Sequence, residues 1–588
     1  MLHLIEPLEQ LALRAGARIV EEFYRPEGPR GWGDKADIDE EVEAFLSQGL
    51  RELLPGSAVL GEELGESGPK GAEYCWLVDP HDGTSAFLRG FRGSTVSVGL
   101  LRHNQPVLGV VYAPLYPNGT GDLISGGPGL GLRRNRQPWT PPDHSGPLKP
   151  SDVVVISQDA DQRSEANLLL LSPARFLAMP SIAFRLALAA VGDARAAQSL
   201  VYLNAHDVAA GHALLLAAGK RLVAWHGDVD EPLPYSPALE PTIMMGGDRE
   251  AILELRKPEP REVLRTSRTS HLSSQPGSRK WKGAGLSLER AQGVLLGQVA
   301  GDALGSLVEF KTPTAIAELY PEGPSLLRDG GVWSTFAGQP TDDSELALLL
   351  ARQISDDGGY KEHKVSASYV DWLYSDPFDI GRTIGEALRG TVNLECQANG
   401  SLMRCSPLGV AFPVAELEEI AVRDSALTHP HPLCGECCRT FTQAISRGVE
   451  GMSAEEALTL ARQEAAPEVA QFLDSARSGP PRDFMHQMGW IKIAFVNAFA
   501  HLYAGTPLEK AVIETVRCGG DTDTNAAIVG ALLGAFQGAS AIPDQWRLSI
   551  VTCRPAKELR HCRQPRPKVY WPVDILNLAE LLLEVRCS

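Results

Sequence analysis

Apolar and polar positions follow two different patterns along this chain. From Leu4 to Phe23 the apolar residues recur at helical spacing, which predicts an amphipathic helix that ends near Pro26. Later segments are short and rich in β-branched residues, namely WLVD, STVSVGLL, PVLGVVYAP and VVVIS, with helical stretches between them. The N-terminal part of the chain is therefore predicted to be a mixed α/β domain.

After about residue 285 the pattern changes to long helical runs with few β-branched clusters. Glycine recurs at every fourth residue in two of these runs, at Gly293, Gly297, Gly301 and Gly305 and again at Gly530, Gly534 and Gly538. Such a stripe lies on one face of a helix and lets a neighbouring backbone approach closely. The C-terminal part is therefore predicted to be an all-α domain of tightly packed helices.

A segment between these parts lacks apolar periodicity. It runs KPEPREVLRTSRTSHLSSQPGSRKWKGAG and is rich in Ser, Arg, Lys and Pro, which is typical of an interdomain linker. The 588 residues also exceed what one hydrophobic core usually supports. We therefore expect a domain at residues 1–250, a linker at 251–285 and a second domain at 286–588.

Charge and hydropathy exclude some classes of partner. The chain has 73 acidic and 55 basic residues and a formal net charge of −18, which disfavours binding to nucleic acid or to an anionic membrane. No run reaches the roughly 20 apolar residues that span a bilayer. Glu6 and Glu9 stand where an export signal needs a basic flank and an apolar run. The protein is expected to be cytoplasmic.

The ten cysteines are scattered, which suits reduced thiols in the cytosol. A cluster at Cys434, Cys437 and Cys438 resembles half of a zinc site, but no second pair lies at a convincing spacing. We therefore interpret these cysteines as free thiols.

The first group of candidate functional residues follows the apolar run that ends at Asp79. This run predicts a strand that delivers Asp79, and Asp82 adds a second carboxylate three residues later. Residues 83–85 supply backbone donors that suit a phosphate group at a helix start. Asp207 begins a small-residue helix far downstream, from which a third carboxylate can reach the same place. Carboxylates and backbone donors together indicate a site for divalent cations and phosphate.

The motifs GEE, DPHDGT and HDVAAGHA jointly resemble the inositol monophosphatase superfamily, in particular its adenosine bisphosphate nucleotidase branch, over about residues 1–245. The resemblance implies a layered α/β sugar-phosphatase-like fold and magnesium-dependent hydrolysis of a phosphomonoester. It implies metal ligands at Glu62, Asp79, His81 (through its carbonyl), Asp82 and Asp207, substrate contacts at Gly83 and Ser85, and water activation by Thr84 paired with Asp37.

Two features depart from the usual pattern of this superfamily. The segment before the upstream aspartate is shortened, and His206 stands where the superfamily usually has tryptophan. An alternative therefore stays open, in which the carboxylates only cap helices and the domain is a degenerate copy that binds substrate or acts as a scaffold.

The second group places carboxylates and hydroxyls at two predicted helix starts, in TDDSELALLLA and in GGDTDTNAA. Their hard oxygen atoms suit Mg²⁺ or Mn²⁺. Ordinary helix caps are the alternative, but a cap needs one such residue and each start has three.

GDALGSLVEF, TDDSE and GGDTDTNAA together resemble the ADP-ribosylglycohydrolase family over about residues 286–588. The resemblance implies an all-α fold with a two-metal site and a role for Glu309 close to the scissile ribose. It implies metal ligands at Thr341, Asp342, Asp343, Asp521, Asp523 and Thr524, and substrate contacts at Asn399, Gly400, Ser401, Met403, Arg404 and His429. The alternative for Arg404 is a structural ion pair, and the alternative for His429 is an ordinary position in the core or on the surface.

The two resemblances predict a bifunctional metal-dependent hydrolase with two or more Mg²⁺ or Mn²⁺ ions in each domain. The expected partners are an ADP-ribosylated protein or small conjugate and a phosphorylated small molecule. The competing interpretation is a regulatory protein that binds ADP-ribose or a nucleotide and whose N-terminal domain is catalytically degenerate.

Overall fold

The computed structural model describes residues 1–231, 233, 235, 242–257 and 284–588. The chain divides into two compact units, Met1–Arg279 and Lys280–Ser588. Residues 258–283, which make up most of the predicted linker, lie outside the described residues. Residues 251–255, the first part of that linker, belong to the helix Arg249–Leu255.

The first unit is a mixed α/β domain, as the pattern of the sequence predicts. Its described strands are β1 (Gly31–Trp32), β2 (Lys35–Ala36), β3 (Ala58–Gly61), β4 (Glu66–Ser67), β5 (Tyr74–Asp82), β6 (Thr95–Arg102), β7 (Gln105–Ala113), β8 (Asp122–Gly127), β9 (Gly131–Arg134), β10 (Gln137–Trp139), β11 (Val153–Ser157), β12 (Arg175–Met179), β13 (Ala196–Gln198), β14 (Arg221–Ala224) and β15 (Met244–Gly247). The four runs predicted to be strands fall in β5, β6, β7 and β11.

These strands form two large sheets and the small β1–β2 ribbon. The eight-stranded sheet has the order β10-β9-β8-β7-β6-β5-β3-β4 and is antiparallel except for the β3–β5 pair. The five-stranded sheet has the order β12-β11-β13-β15-β14, and β11 pairs in parallel with both of its neighbours.

The helices of the first unit are α1 (Leu2–Phe23), α2 (Asp37–Leu53), α3 (Thr84–Leu88), α4 (Ser164–Leu171), α5 (Ile182–Val191), α6 (Ala205–Ala217) and α7 (Arg249–Leu255), and a 3₁₀ turn covers Gln158–Arg163. Helix α1 therefore ends shortly before Pro26, as the apolar spacing predicts.

The two faces of the eight-stranded sheet are covered differently. Val98 and Leu100 of β6 belong to the apolar core that α1 and α2 share with the sheet. Gly99 and Gly109 lie against α6, since a Cβ at Gly99 would lie 2.8 Å from the nitrogen of Ala210 and one at Gly109 would lie 2.3 Å from its oxygen. Side chains alternate between the faces of a strand, so these glycines hold α6 close to the opposite face.

The second unit is all-α in its described residues. Its helices are α8 (Leu288–Gly305), α9 (Pro313–Leu319), α10 (Asp342–Asp357), α11 (Glu362–Leu373), α12 (Arg382–Leu388), α13 (Ser406–Ala411), α14 (Val414–Ala426), α15 (Pro432–Val449), α16 (Ala454–Glu464), α17 (Pro467–Arg477), α18 (Ile491–Ala504), α19 (Leu508–Arg517), α20 (Thr522–Gln537), α21 (Asp544–Val551) and α22 (Ile575–Arg586). Short 3₁₀ turns cover Asn399–Ser401, Ala539–Ala541 and Lys568–Tyr570.

The two glycine stripes pack against each other. A Cβ at Gly297 of α8 would lie 2.2 Å from the oxygen of Gly530 of α20, and one at Gly301 would lie 2.1 Å from the oxygen of Ala526. No side chain fits between backbones this close, so the predicted close packing is present. The contact also brings the end of α8 beside the start of α20.

Within the described part of the chain, every helix is too short or too polar to traverse a lipid bilayer. Cys434, Cys437 and Cys438 are buried free thiols in α15.

Candidate active sites

The first candidate site lies at the end of β5. The pairing of β5 with β6 is irregular between Asp79 and Asp82, and a local irregularity of this kind redirects side chains at a sheet. Oδ2 of Asp82 accepts hydrogen bonds from Oγ of Ser181 at 2.6 Å and from N of Ala183 at 2.7 Å. The start of α5 therefore fixes the Asp82 carboxylate.

Glu62 and Asp207 reach this place from two other elements. Glu62 follows β3, which pairs with β5 in parallel, and its side chain is 41% exposed at the rim. Asp207 lies in the first turn of α6, where its Oδ2 accepts a hydrogen bond from N of Asn204. One ligand atom from each of Glu62, His206 and Asp207 lies within 4.8 Å of the other two. The fold thus gathers carboxylates that are far apart in the sequence.

Burial raises the pKa values of the carboxylates of this site, and neighbouring carboxylates add to the rise at Glu62, Asp79 and Asp82. Burial and then the charges of Asp82, Glu62 and Asp207 raise the pKa of Asp79 well above its usual range. Partial burial followed by neighbouring carboxylates raises the pKa of Glu62 to about 7, and burial is the first cause that raises the pKa values of Asp82 and Asp207 to about 6. Like charges this close need a positive charge nearby to ionise together. A divalent cation with hard oxygen ligands fits this donor set.

The carboxylate beside Thr84 is Asp39, and the expected pairing of Thr84 with Asp37 is wrong. Oγ1 of Thr84 lies 3.4 Å from Oδ2 of Asp39 and donates a hydrogen bond to the His81 carbonyl at 2.7 Å. Asp37 is the exposed first residue of α2, whereas Asp39 is buried two residues later. Two residues on a helix point in very different directions, so only one of these aspartates faces the site. Helical spacing was the available signal, because Asp39 lies next to the buried Ile38 and Val42 positions.

A backbone nitrogen and a buried histidine ring hold the Asp39 carboxylate. Its Oδ2 accepts a hydrogen bond from N of Ala36 at 2.9 Å, and its Oδ1 lies 2.8 Å from Nδ1 of His81. The other ring nitrogen of His81 lies 3.0 Å from Oγ of Ser94. The His81 ring therefore has its partners inside the protein, and the His81 carbonyl oxygen accepts the hydrogen bond from Thr84. Metal binding by this carbonyl remains a prediction.

Glu43, one turn after Asp39 on α2, supports the turn that carries Glu62. Its carboxylate accepts hydrogen bonds from N of Glu63 at 2.7 Å and from N of Leu64 at 2.8 Å. A Cβ at Gly61 would lie 1.8 Å from Oε1 of Glu43, so only glycine leaves room for this contact. The sequence pattern did not reveal this role of Glu43.

The predicted phosphate contacts lie at the start of α3. Gly83 is the residue before this helix and has a φ of +97°, a conformation that favours glycine. Ser85 is exposed in the first turn. Gly83 and Ser85 remain predicted substrate contacts.

Arg185 and His206 complete the electrostatic surroundings of the first site. Arg185 is buried, which lowers its pKa to about 10, and the charges of Asp82 and Asp207 partly oppose this effect. Burial also lowers the pKa of His206. Neither side chain was singled out as a functional residue from the sequence.

The second candidate site lies where the end of α8 meets the starts of α10 and α20. Thr341 precedes α10, Asp342 and Asp343 form its first turn, and Asp521 precedes α20. One oxygen each from Glu309, Asp521 and Asp523 lies within 4.8 Å of the other two. Thr341, Asp342, Asp343, Asp523 and Thr524 are all buried. The fold therefore gathers the residues that the sequence motifs assigned to a metal site.

Asp302 of α8 positions the start of α10, and the sequence pattern did not single it out. Its Oδ1 accepts a hydrogen bond from Oγ1 of Thr341 at 2.9 Å, and its Oδ2 accepts one from N of Ser344 at 3.1 Å. The Thr341 hydroxyl therefore uses its proton inside the protein and keeps an oxygen lone pair for another partner. N of Gly381 donates to Oδ2 of Asp342 at 2.8 Å and fixes that carboxylate.

Glu309 is held by an aromatic side chain. Nε1 of Trp333 donates a hydrogen bond to Oε2 of Glu309 at 2.6 Å. Burial raises the pKa of Glu309 to about 7, and the bond from Trp333 opposes that rise. A carboxyl group with a pKa near neutrality is suited to accept and return a proton.

The aspartates of the second site form a dense negative cluster. Burial, then Asp342 and Asp302, raises the pKa of Asp343 well above its usual range, and Oδ1 of Asp343 has no hydrogen-bond partner among the described residues. Burial is also the first cause that raises the pKa of Asp342 to about 6. No Lys or Arg within the described ranges forms an ion pair with these groups. The orphaned oxygen and the uncompensated charge fit a divalent cation.

Asp379 is a further carboxyl group of this site that the sequence pattern did not reveal. Burial and then the charges of Asp342, Glu309 and Asp302 raise its pKa to about 10, so it carries a proton at neutral pH without bound cations. Asp379 lies in the loop before α12 and belongs to none of the sequence motifs, so its place in the site is evident only from the fold.

The Asn399–Ser401 turn borders the aspartates. Nδ2 of Asn399 donates to Oδ2 of Asp521 at 2.7 Å. Oγ of Ser401 accepts a hydrogen bond from Oγ of Ser425 at 2.9 Å, and Met403 is buried. The turn thus places Asn399 at the site, while the side chain of Ser401 belongs to an internal network. Asn399, Gly400, Ser401 and Met403 remain predicted substrate contacts.

The expected substrate contact by Arg404 is wrong, and the structure has the alternative, a buried ion pair. The Arg404 side chain is 0% exposed and donates to Asp424 Oδ2 at 3.2 Å and to Thr428 Oγ1 at 2.7 Å. It also donates to the carbonyl of Gly400. The guanidinium group therefore has its partners inside the protein and holds the Asn399–Ser401 turn through the carbonyl of Gly400.

His429 is buried beside Gly400. A Cβ at Gly400 would lie 2.9 Å from Cε1 of the His429 ring. Burial, followed by the charge of Arg404, lowers the pKa of His429 to about 3, so the ring is neutral. Its Nδ1 lies 2.8 Å from Oγ1 of Thr428, and its Nε2 has no hydrogen-bond partner among the described residues. A substrate contact by His429 remains a prediction.

Comparison with known proteins divides the chain at the same place. The family model "Inositol monophosphatase family" matches residues 3–255, and the model "ADP-ribosylglycohydrolase" matches residues 285–568. The C-terminal half is 33% identical over 287 residues to the ADP-ribosyl-[dinitrogen reductase] glycohydrolase of Rhodospirillum rubrum, a match that covers 46% of this chain and 93% of that protein.

The N-terminal half is 31% identical over 250 residues to the 3'(2'),5'-bisphosphate nucleotidase CysQ of Escherichia coli (strain K12), which covers 40% of this chain and 94% of that protein. Among solved structures, an ADP-ribosylglycohydrolase-related protein complex aligns with a TM-score of 0.42 and 24% identity, over 51% of this chain and 98% of that chain.

Proposed function

This chain belongs to the ADP-ribosylglycohydrolase family and to the inositol monophosphatase family, and we propose from that premise that it is a bifunctional metal-dependent hydrolase. In this proposal the second unit removes ADP-ribose from a modified protein or small conjugate. The first unit hydrolyses a phosphomonoester of a nucleotide or sugar. Membership of the two families shows that the chain is a fusion of two hydrolase domains. We propose the two activities, their metal dependence and their substrates.

The convergence of Glu309, Asp521 and Asp523 within 4.8 Å carries the proposal for the second unit. Buried carboxylates without a basic partner are costly unless a cation compensates them. Mg²⁺ or Mn²⁺ would be held by Thr341, Asp342, Asp343, Asp521, Asp523 and Thr524. Bound there, the ions would orient ribose hydroxyls and stabilise developing charge.

The residues of the second unit then have distinct tasks. Glu309, held by Trp333, would orient a water toward the anomeric carbon of the ribose and take up its proton. The bond between that carbon and the modified group would break, and the departing group would receive a proton. Asn399, which donates a hydrogen bond to Asp521, would contact the bound ADP-ribose. Gly381 and Asp302 keep the start of α10 in place while substrate enters and leaves.

In the first unit the proposed site contains Glu62, Asp79, Asp82 and Asp207, which would hold Mg²⁺ or a related ion. Thr84 and Asp39 would orient the attacking water and accept its proton. The named relative acts on a 3'(2'),5'-bisphosphate nucleotide, and a nucleotide with a terminal phosphomonoester is therefore the first substrate to test.

The test measures two products from the full-length protein in the presence of Mg²⁺ or Mn²⁺. One assay follows free ADP-ribose released from arginine-linked and serine-linked ADP-ribosylated proteins. The other follows phosphate released from adenosine 3',5'-bisphosphate and from inositol monophosphate. Activity that is lost on removal of the metal and returns on its addition supports the proposal.

Two double variants separate the activities. Asp342→Ala with Asp343→Ala should abolish release of ADP-ribose and leave release of phosphate intact, and Asp79→Ala with Asp82→Ala should do the reverse. Loss of both activities in either variant would contradict two independent sites. Binding of ADP-ribose without any turnover would favour the regulatory interpretation.

A further inference from the structure

His206 directs a ring nitrogen at two carboxylates of the first site. Its Nε2 lies 3.4 Å from Oδ1 of Asp207 and 4.0 Å from Oε1 of Glu62. This nitrogen is buried, and it has no hydrogen-bond partner in the described residues. A buried polar atom without a partner costs free energy, and a bound ligand at this nitrogen would remove that cost.

Asp207 offers a free oxygen on the side that faces His206. Its other oxygen, Oδ2, is used by the backbone nitrogen of Asn204 at the start of α6. Glu62 closes the group from the rim, where its side chain is 41% exposed. An ion from solvent would therefore reach three converging donors, two oxygens and one nitrogen.

The spacing of these donors suits a transition-metal ion. Zinc binds nitrogen and oxygen at about 2.0–2.2 Å, which separates two neighbouring tetrahedral ligands by about 3.3 Å. The observed 3.4 Å between His206 and Asp207 agrees with this separation. The 4.0 Å to Glu62 needs a shift of less than about 1 Å by a partly exposed side chain, which rotates at little cost.

We propose that His206 is a nitrogen ligand of a divalent cation that it shares with Glu62 and Asp207, and that this ligand makes the first site prefer a first-row transition-metal ion to Mg²⁺. The inference rests on the proposed function, which assigns metal binding to the two carboxylates. Imidazole suits ions such as Zn²⁺, whereas Mg²⁺ prefers oxygen ligands and keeps several waters.

The residue type at this position distinguishes this chain. Tryptophan, which the inositol monophosphatase superfamily usually has there, carries an indole nitrogen that only donates a hydrogen bond and cannot bind a metal. His206→Trp therefore removes the nitrogen ligand and restores a residue that the fold accommodates. His206→Gln removes it with a smaller change in volume.

The experiment uses full-length protein that carries Asp342→Ala and Asp343→Ala, so that bound metal reports on the first unit. The metal-free protein is loaded with one equivalent of Mn²⁺, and pulsed electron paramagnetic resonance records the coupling of nitrogen nuclei to the ion. A second sample contains ¹⁵N-labelled histidine. His103→Gln, which changes an exposed histidine of the same unit, is the matched control.

We expect a ¹⁴N coupling that becomes a ¹⁵N coupling in the labelled sample. It should persist in His103→Gln and disappear in His206→Gln and His206→Trp. In calorimetric titrations, the affinity for Zn²⁺ should fall by about tenfold or more in His206→Gln. Substitution of residues that only contact metal ligands typically lowers metal affinity by about 10- to 100-fold, and loss of a ligand should cost at least as much. Mg²⁺ affinity should change by less than about twofold, because Mg²⁺ gains little from imidazole.

Mn²⁺ that binds to the first unit without histidine coupling would overturn the inference and leave the proposed function intact. A first unit that binds no divalent ion would overturn both the inference and the proposed function. Histidine labelling of the wild-type protein tests the coupling even if both variants fail to fold, because His206 is the histidine that lies with Glu62 and Asp207 among the described residues.

Discussion

Oγ1 of Thr84 lies 3.4 Å from Oδ2 of Asp39, although the two residues are 45 positions apart. Helix α2 brings Asp39 to the end of β5, and the neighbouring Asp37 stays exposed on another side of the same helix. Substitutions of the two aspartates should therefore have different effects on activity.

Asp39→Asn should reduce phosphate release by the first unit by about 100-fold or more, because a positioned general base typically contributes 10²- to 10⁴-fold. Asp37→Asn should leave kcat within about twofold, since an exposed residue away from the reacting group contributes none of this. The measurement is kcat for hydrolysis of adenosine 3',5'-bisphosphate. A large loss in Asp37→Asn with normal activity in Asp39→Asn would contradict the assignment.

Arg404→Met should destabilise the second unit by about 3–5 kcal/mol, because it leaves the charge of Asp424 buried without its partner. Arg423→Met is the matched control, since Arg423 is the neighbour of Asp424 and pairs with Glu362 at an exposed position. Its loss should cost no more than about 1 kcal/mol. Denaturant unfolding of both variants measures the free energies of unfolding, and equal values would contradict the structural role of Arg404.

Gly297→Ala should destabilise the second unit by about 1–3 kcal/mol or more, because its methyl group would lie 2.2 Å from the oxygen of Gly530 and force α8 from α20. Gly435→Ala tests whether any helical glycine behaves in this way. Its methyl group would lie 3.2 Å from the side chain of Val422, which can yield, so this change should be neutral or stabilise by about 0.5–1 kcal/mol through helix propensity. Thermal unfolding of both variants provides the comparison.

Asp379→Asn should stabilise the metal-free protein at pH 8 and have little effect near pH 4. Burial and neighbouring charges raise the pKa of Asp379 to about 10 in the folded state, whereas it is about 3.9 in an unfolded chain. A carboxyl group with a raised pKa contributes stability below its unfolded value, and this contribution is lost progressively as the pH rises toward the folded pKa. Asparagine does not titrate and avoids the loss.

The midpoint of thermal unfolding in a chelating buffer at pH 4 and pH 8 measures this effect. The variant should exceed wild type by a few degrees at pH 8, since about 1 kcal/mol shifts the midpoint by roughly 2–4 °C in a unit of this size. Mn²⁺ should then narrow the gap, because bound cations compensate the wild-type carboxylates. A difference that is independent of pH would contradict the titration of Asp379 as its cause.

The pattern of the sequence determined the kind of fold in each half. The short β-branched runs became β5, β6, β7 and β11 because β-branched side chains pack well in strands that are buried on both faces, as β6 and β11 are. The glycine stripes became the contact between α8 and α20 because only glycine lets two backbones approach so closely. Motifs with several carboxylates in a few residues likewise predicted metal ligands at Asp342, Asp343, Asp521 and Asp523, because ordinary helix caps do not need such a density of carboxylates.

The tertiary structure decided which side chains outside those motifs join the sites. Asp39 rather than Asp37 faces Thr84, Asp302 and Asp379 join the second cluster, and Arg404 turns inward to Asp424. Each outcome depends on the direction of a side chain relative to a different element, and residue type and spacing along one segment carry no information on that direction. Local sequence thus determined the elements and their chemistry, whereas packing between distant elements determined the partners of each charge.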